Sequence, residues 1–342
     1  MRNLSRFALF LFLAAVLSMA CPALWAQDEA WEPPSAPAND EEANTSMYYA
    51  MQNGEIKNLE FYIKSNPKAV TLKNNELIQG AVGSNYDTAI VKMLIAAGAD
   101  VNAKEANTQN TLLHTALAQV RDGKDSPDTQ AANDKLLATI KLLISSGIKA
   151  NEARPNDGFT PLLLAASSES IGKAFFDALF EAKDIDVNAK SNAGANTMEN
   201  YTPLFYVITR NHIEGNTNKE IVDLLLAKGA DIKHLTGKSQ SAGRPEKKNA
   251  LHLACETRGD RADIVEALLA KGMDIEAMDD ENFSPLHLAA MANNAKITKL
   301  LLEKGANIAS KNKDGVTVLD HCKGAGKDKH LESADIVINW KK

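Results

Sequence analysis

The sequence predicts an all-α solenoid of about eight helix-turn-helix units with irregular inserted loops. Two observations carry this. A run of Leu and Ile followed by Gly and a short polar step recurs at 93–100 (MLIAAGAD), 142–149 (LLISSGIK), 224–231 (LLLAKGAD), 267–274 (ALLAKGMD) and 300–307 (LLLEKGAN). A second element, a hydroxyl or amide residue before an apolar turn, alternates with it: Thr160-Pro161-Leu162, Thr202-Pro203-Leu204 and Ser284-Pro285-Leu286, more loosely Thr111-Leu112-Leu113-His114, Asn249-Ala250-Leu251-His252 and Thr317-Val318-Leu319. A unit of this size cannot bury its apolar face alone, so it must stack on copies of itself.

Each part of the unit has a physical reason. Thr, Ser or Asn can cap the first helix, and Pro fits the first helical position because its missing N–H would be an orphan there. Small Ala follows in Leu286-His287-Leu288-Ala289-Ala290 and Leu251-His252-Leu253-Ala254, allowing close approach of the next unit. Ile221–Leu226 and Ile264–Leu269 give the second helix an apolar stripe. Gly98, Gly147, Gly229, Gly272 and Gly305 then end it, in the left-handed conformation open to glycine. The third unit has Asp184 instead. Asp100-Val101-Asn102-Ala103, Asp186-Val187-Asn188-Ala189 and Asp274-Ile275-Glu276-Ala277 begin the extended arm to the next unit.

The opening motif resembles that of the ankyrin repeat, T-P-L-H-x-A, over roughly residues 47–340. Leu77, Leu113, Leu162, Leu204, Leu251, Leu286 and Leu319 mark the register, at intervals of 36, 49, 42, 47, 35 and 33 residues. A plain ankyrin unit takes about 33. The excess places loops at Arg121–Asn133, between the helices of one unit, and at Ser191–Asn200 and Thr236–Lys248, between units. Met47–Asn75, with Gly54 between two helices, and Leu331–Trp340 read as terminal units that shield the core.

Upstream, Met1–Arg6 carries two Arg and Phe7–Ala20 is an apolar run of 14 residues, the layout of a signal peptide over 1–26 cleaved after Ala26. Periplasm or secretion follows. Leu17–Cys21 offers an alternative, a lipoprotein anchored through Cys21. Residues 27–46, acidic and Pro-containing, read as a flexible linker, leaving 47–342 for the repeats.

Cleavage removes two Arg and no acid from a net charge of −6, leaving −8 with no basic stripe, which argues against a nucleic-acid partner. No segment is long enough for a membrane span. Cys255 and Cys322 sit at small-residue positions on first helices two units apart, beyond disulfide reach, and read as buried thiols. His114, His252 and His287 occupy the motif position where imidazole bonds neighbouring backbone. His212, His234, His321 and His330 fit no metal spacing, and Gly324–Lys327 lacks the pattern of a phosphate loop. The expectation is a protein that is not an enzyme, holds no cofactor or metal, and acts as a monomer.

The resemblance implies where binding occurs. In ankyrin-like arrays the arms and first helices form a concave face, and the residues flanking the first helix point outward there. These positions are Phe159 with Ser167 and Ser168, Tyr201 with Thr209 and Arg210, Lys248 with Glu256 and Thr257, and Phe283 with Met291 and Ala292. The resulting reading is a protein–protein interaction scaffold or accessory factor of a bacterial cell envelope. The alternative is an inhibitor or immunity protein that blocks a toxin or enzyme.

Overall fold

In the computed structural model, Thr111, Thr160, Thr202, Asn249 and Ser284 each accept a hydrogen bond from the backbone N–H three residues on, as N-caps should. The structure describes residues 31–84, 87–122, 126–192, 198–210, 217–237, 246–257, 259–325 and 332–340. The chain divides into residues 1–36 and 37–342. Of the first unit only 31–36 are described, and they form no regular element. The expected signal peptide, Cys21, His212 and His330 lie outside the described residues.

The second unit is a succession of helix pairs. They are α1 (Asp40–Gln52) with α2 (Ile56–Ser65), α3 (Leu72–Gly83) with α4 (Thr88–Ala96), and α5 (Leu112–Ala118) with α6 (Pro127–Ser145). Then come α7 (Pro161–Ser167) with α8 (Lys173–Leu179), α9 (Pro203–Thr209) with α10 (Thr217–Ala227), and α11 (Ala250–Glu256) with α12 (Ala262–Ala270). The last are α13 (Pro285–Met291) with α14 (Ala295–Glu303), and α15 (Val318–Ala325) with α16 (Glu332–Ile338). First helices pack on first helices and second on second, giving two layers with one core that runs from Ala43 to Val337. The expected architecture holds.

Two boundaries differ from the sequence reading. Asn39 caps α1 by accepting from Glu42 N–H, so the helix begins inside the stretch read as linker; Ala43 and Met47 on it are fully buried. The stretch Arg121–Asn133 is not wholly a loop, because Pro127–Asn133 is the start of α6. Ser126, Pro127 at the first helical position and Asp128 in the first turn together spell a helix start. Asn133 exchanges two hydrogen bonds with the Arg121 backbone.

The arms are where units are registered. Asp100, Asp186, Asp231 and Asp274 each accept the N–H two residues on, which turns the chain. Asn102 accepts Lys149 N–H at 2.8 Å, Asn151 accepts Asp186 N–H, Asn188 accepts Asp231 N–H at 2.8 Å, and Glu276 accepts Asn307 N–H at 2.7 Å. Each of these side chains therefore holds the arm of the following unit. Backbone bonds continue the ladder from Asn192 to Asp157, Gly237 to Glu199, Asp280 to Glu246 and Lys313 to Glu281.

Gly272 ends α12 at φ +86, with open space around the position of a Cβ. Gly272→Val should therefore cost only the left-handed strain, about 1–2 kcal/mol, read as a lower urea midpoint. The pair α7 with α8 solves its ending differently: Asp184 has no positive φ, and its carboxylate accepts Ala150 N–H at 3.0 Å. Asp184→Val should cost only that bond, about 1 kcal/mol.

Candidate functional site

The inner layer, made by the first helices and arms, is built on buried caps. At His114, Nδ1 accepts from Thr111 N–H, so Nε2 carries the proton and donates to the Phe159 carbonyl at 2.9 Å. His252 repeats this with Asn249 N–H and the Ala277 carbonyl at 3.0 Å, and His287 accepts from Ser284 N–H. Protonation would place a second N–H against the cap's own donor. Burial lowers all three pKa values from 6.5, His114 to about 4. Neutral imidazole stabilises the fold fully above pH 6.5, and that contribution fades as pH falls from 6.5 toward 4, by about 3 kcal/mol for His114. Burial raises the Glu256 pKa, which opposes the trend at lower pH. Thermal midpoints should fall between pH 6.5 and 4.5, and His114→Asn should flatten that slope.

The residues expected to face a partner divide into two groups. Phe159 is buried against Leu163 and Ala189, with its ring 5.4 Å from Tyr206 and the Arg154 guanidinium 5.2 Å away. Tyr201 is buried between Phe205 and Tyr206, at 5.6 and 5.3 Å, and burial pushes its phenol pKa up. Arg210 is buried as well: Nε donates to Asn218 at 2.7 Å and Nη1 to the Ser168 carbonyl at 2.8 Å. These three are therefore corrected from partner contacts to internal struts. The residues just before the caps differ: Phe159 and Tyr201 are buried, whereas Lys248 and Phe283 are half-buried.

The residue two before the cap has positive φ ahead of α5, α7, α9, α11, α13 and α15: Gln109, Gly158, Asn200, Lys247, Asn282 and Gly315. Two of the six are Gly and two are Asn, residue types that reach this conformation readily, and that partial pattern is the sequence signal for the step.

The remaining positions keep access to solvent. Met291 is 45% exposed at the end of α13. Thr209, Glu256, Thr257 and Phe283 are half-buried. Thr209 and Thr257 donate to the Phe205 and Leu253 carbonyls, and the Phe283 ring meets His287 edge-on. Lys248, where its neighbours carry aromatics, bridges Glu256 at 2.6 Å and Glu246 at 3.3 Å. Burial alone would lower the Lys248 pKa, but these carboxylates raise it.

Both described cysteines, Cys255 and Cys322, are free and buried. Among the described residues no group of His, Cys, Asp or Glu could hold a metal ion, and no helix is long and apolar enough to cross a membrane.

A sequence profile of the family described as "Ankyrin repeats (3 copies)" matches residues 129–236 and 214–312. The chain belongs to the ankyrin-repeat family. Its ankyrin repeats are 39% identical over 93 residues to an ankyrin repeat and KH domain-containing protein of Caenorhabditis briggsae, covering 27% of this chain and 3% of that protein. They are 35% identical over 99 residues to ankyrin repeat and SOCS box protein 11 of Danio rerio, covering 29% and 30%. The chain thus spans less than a third of either relative. The human ASB11 ankyrin repeat domain superposes with a TM-score of 0.53 at 24% identity, covering 78% of this chain and 99% of that one. The ankyrin repeat domain of Bcl-3 gives 0.54 at 21%, covering 76% and 96%. These superpositions show the fold. Ankyrin repeats generally mediate protein–protein interaction, so a binding array is the family's ordinary use.

Proposed function

We propose that the protein is an exported scaffold of the bacterial cell envelope whose ankyrin repeats hold a partner protein on the face made by arms and first helices. One observation carries the location. Between the terminal helix pairs, the large apolar side chains most exposed among the described residues are Met198, Leu235, Met278 and Met291, all on arms or at the end of a first helix. The second helices present Lys228, Glu266 and Lys299 instead, residue types depleted at interface cores. Export is supported by the Arg-initiated apolar leader alone.

The test is affinity capture from an envelope extract with the chain starting at Gln27. Thr209→Arg with Met291→Arg should abolish recovery of a specifically captured protein while leaving the circular dichroism melt unchanged. Undiminished recovery would remove the face from the account. N-terminal sequencing of exported material should begin near Gln27; recovery with Met1 intact would overturn the export.

A further inference from the structure

The exposed apolar residues are not spread evenly along the array. At the fifth arm position, counted from its Asp or Asn, three units carry lysine: Lys104, Lys190 and Lys311. Two consecutive units between them carry Leu235 and Met278, 41% and 42% exposed. The arms holding these residues are joined: Asn200 Nδ2 donates to the Leu235 carbonyl at 2.9 Å, and Asp280 N–H to the Glu246 carbonyl at 3.0 Å. Met198 precedes Asn200 by two residues, so apolar side chains stand on three consecutive, bonded arms. Methionine suits such a surface because its unbranched chain adapts to what it meets.

The charge of the same strip is one-sided. Residues 274–283 hold five carboxylates and no base. Lysines from the neighbouring arms reach in, Lys247 to Asp280 at 3.0 Å and Lys313 to Glu281 at 3.5 Å. Glu246 and Glu256 share the single Lys248. Carboxylates therefore outnumber lysines. The bridges of Lys247 and Lys313 involve side chains 60% and 48% exposed, so an incoming cation exchanges with them at little cost.

Resting on the binding role above, we propose that the strip formed by Leu235, Met278, Met291 and the carboxylates of 274–281 takes a cationic amphipathic segment of the partner protein. Large apolar side chains of that segment lie on the methionines, and its Lys or Arg side chains lie over Asp280, Glu281 and Glu246. Anionic membranes and nucleic acid carry the wrong sign of charge for this surface.

Fluorescence anisotropy with a labelled leucine–lysine amphipathic peptide, and its leucine–glutamate counterpart, tests this on the chain starting at Gln27. The cationic peptide should bind with an affinity that weakens as salt rises, and the anionic peptide should not bind. Met278→Ser with Met291→Ser, and separately Asp280→Asn with Glu281→Gln, should each weaken binding at least about tenfold. Glu266→Gln with Glu303→Gln, on second helices, should leave it unchanged. Equal loss from that control, binding of the anionic peptide, or binding of neither overturns the proposal. So does sedimentation showing that the methionine changes abolish self-association, which would make a second copy the occupant. If the peptides fail while capture still depends on Thr209 and Met291, the charge reading falls and the scaffold reading stands.

Discussion

Replacing Arg210 by alanine should lower the stability of the array by about 3–5 kcal/mol, the scale of breaking a buried charged network. The guanidinium donates to Asn218 within its own unit and to the Ser168 and Ile171 carbonyls of the preceding one, and it lies 5.9 Å from the Phe176 ring. Its own carbonyl accepts Arg261 Nη2 at 2.6 Å, and Arg261 is fully buried. Two arginines thus link three units across the ends of first helices, where a cation also suits the helix dipole. Burial lowers the Arg210 pKa to about 10, so the side chain stays charged at neutral pH. Alanine would leave a cavity and take the donor away from the Ser168 and Ile171 carbonyls. Lysine keeps the charge but not the planar fork, and should recover less than half of the loss. A urea midpoint equal to wild type would contradict this role.

Gly158→Val should cost about 3 kcal/mol or more. Gly158 sits at φ +71, and an added Cβ would stand 2.9 Å from Asn192 side-chain atoms and 3.0 Å from its backbone nitrogen. That nitrogen donates to the Asp157 carbonyl at 2.8 Å, one rung of the ladder between arms. Left-handed strain, overpacking and loss of the rung therefore add. Gly315 is the internal control: it shares the conformation, at φ +76, but has nothing within 4 Å of its Cβ position. Gly315→Val should cost strain alone, about 1–2 kcal/mol. Equal losses at the two sites, measured by chemical denaturation, would show that the arms are not in contact there.

The fold was legible because its determinants are local. Thr-Pro-Leu caps, apolar second helices and terminal glycines each specify their own few residues, and the copies reinforce one another. In the sequence Asn102 and Asn188 show only as part of an extended start, since their bonds to the following units span more than forty residues. The helix start at Ser126-Pro127-Asp128 is hidden in the sequence by a polar composition that also suits a loop. The orientation of the candidate positions was not legible. Phe159, Tyr201 and Arg210 have the residue types of interface anchors, and the same properties make them good struts between units. Their packing partners, Ala189 for Phe159, Tyr206 for Tyr201 and the Ser168 carbonyl for Arg210, decide which way they point. Glu256, Thr257, Thr209, Phe283 and Met291 keep access to solvent.

The most direct measurement is hydrogen exchange on the array with and without its captured partner. Binding at the arms and first helices should add protection in residues 200–210, 246–257 and 280–292. The second helices at 217–227, 262–270 and 295–303 should keep their free-state rates. Protection confined to the second helices, with the arms unchanged, would contradict the account.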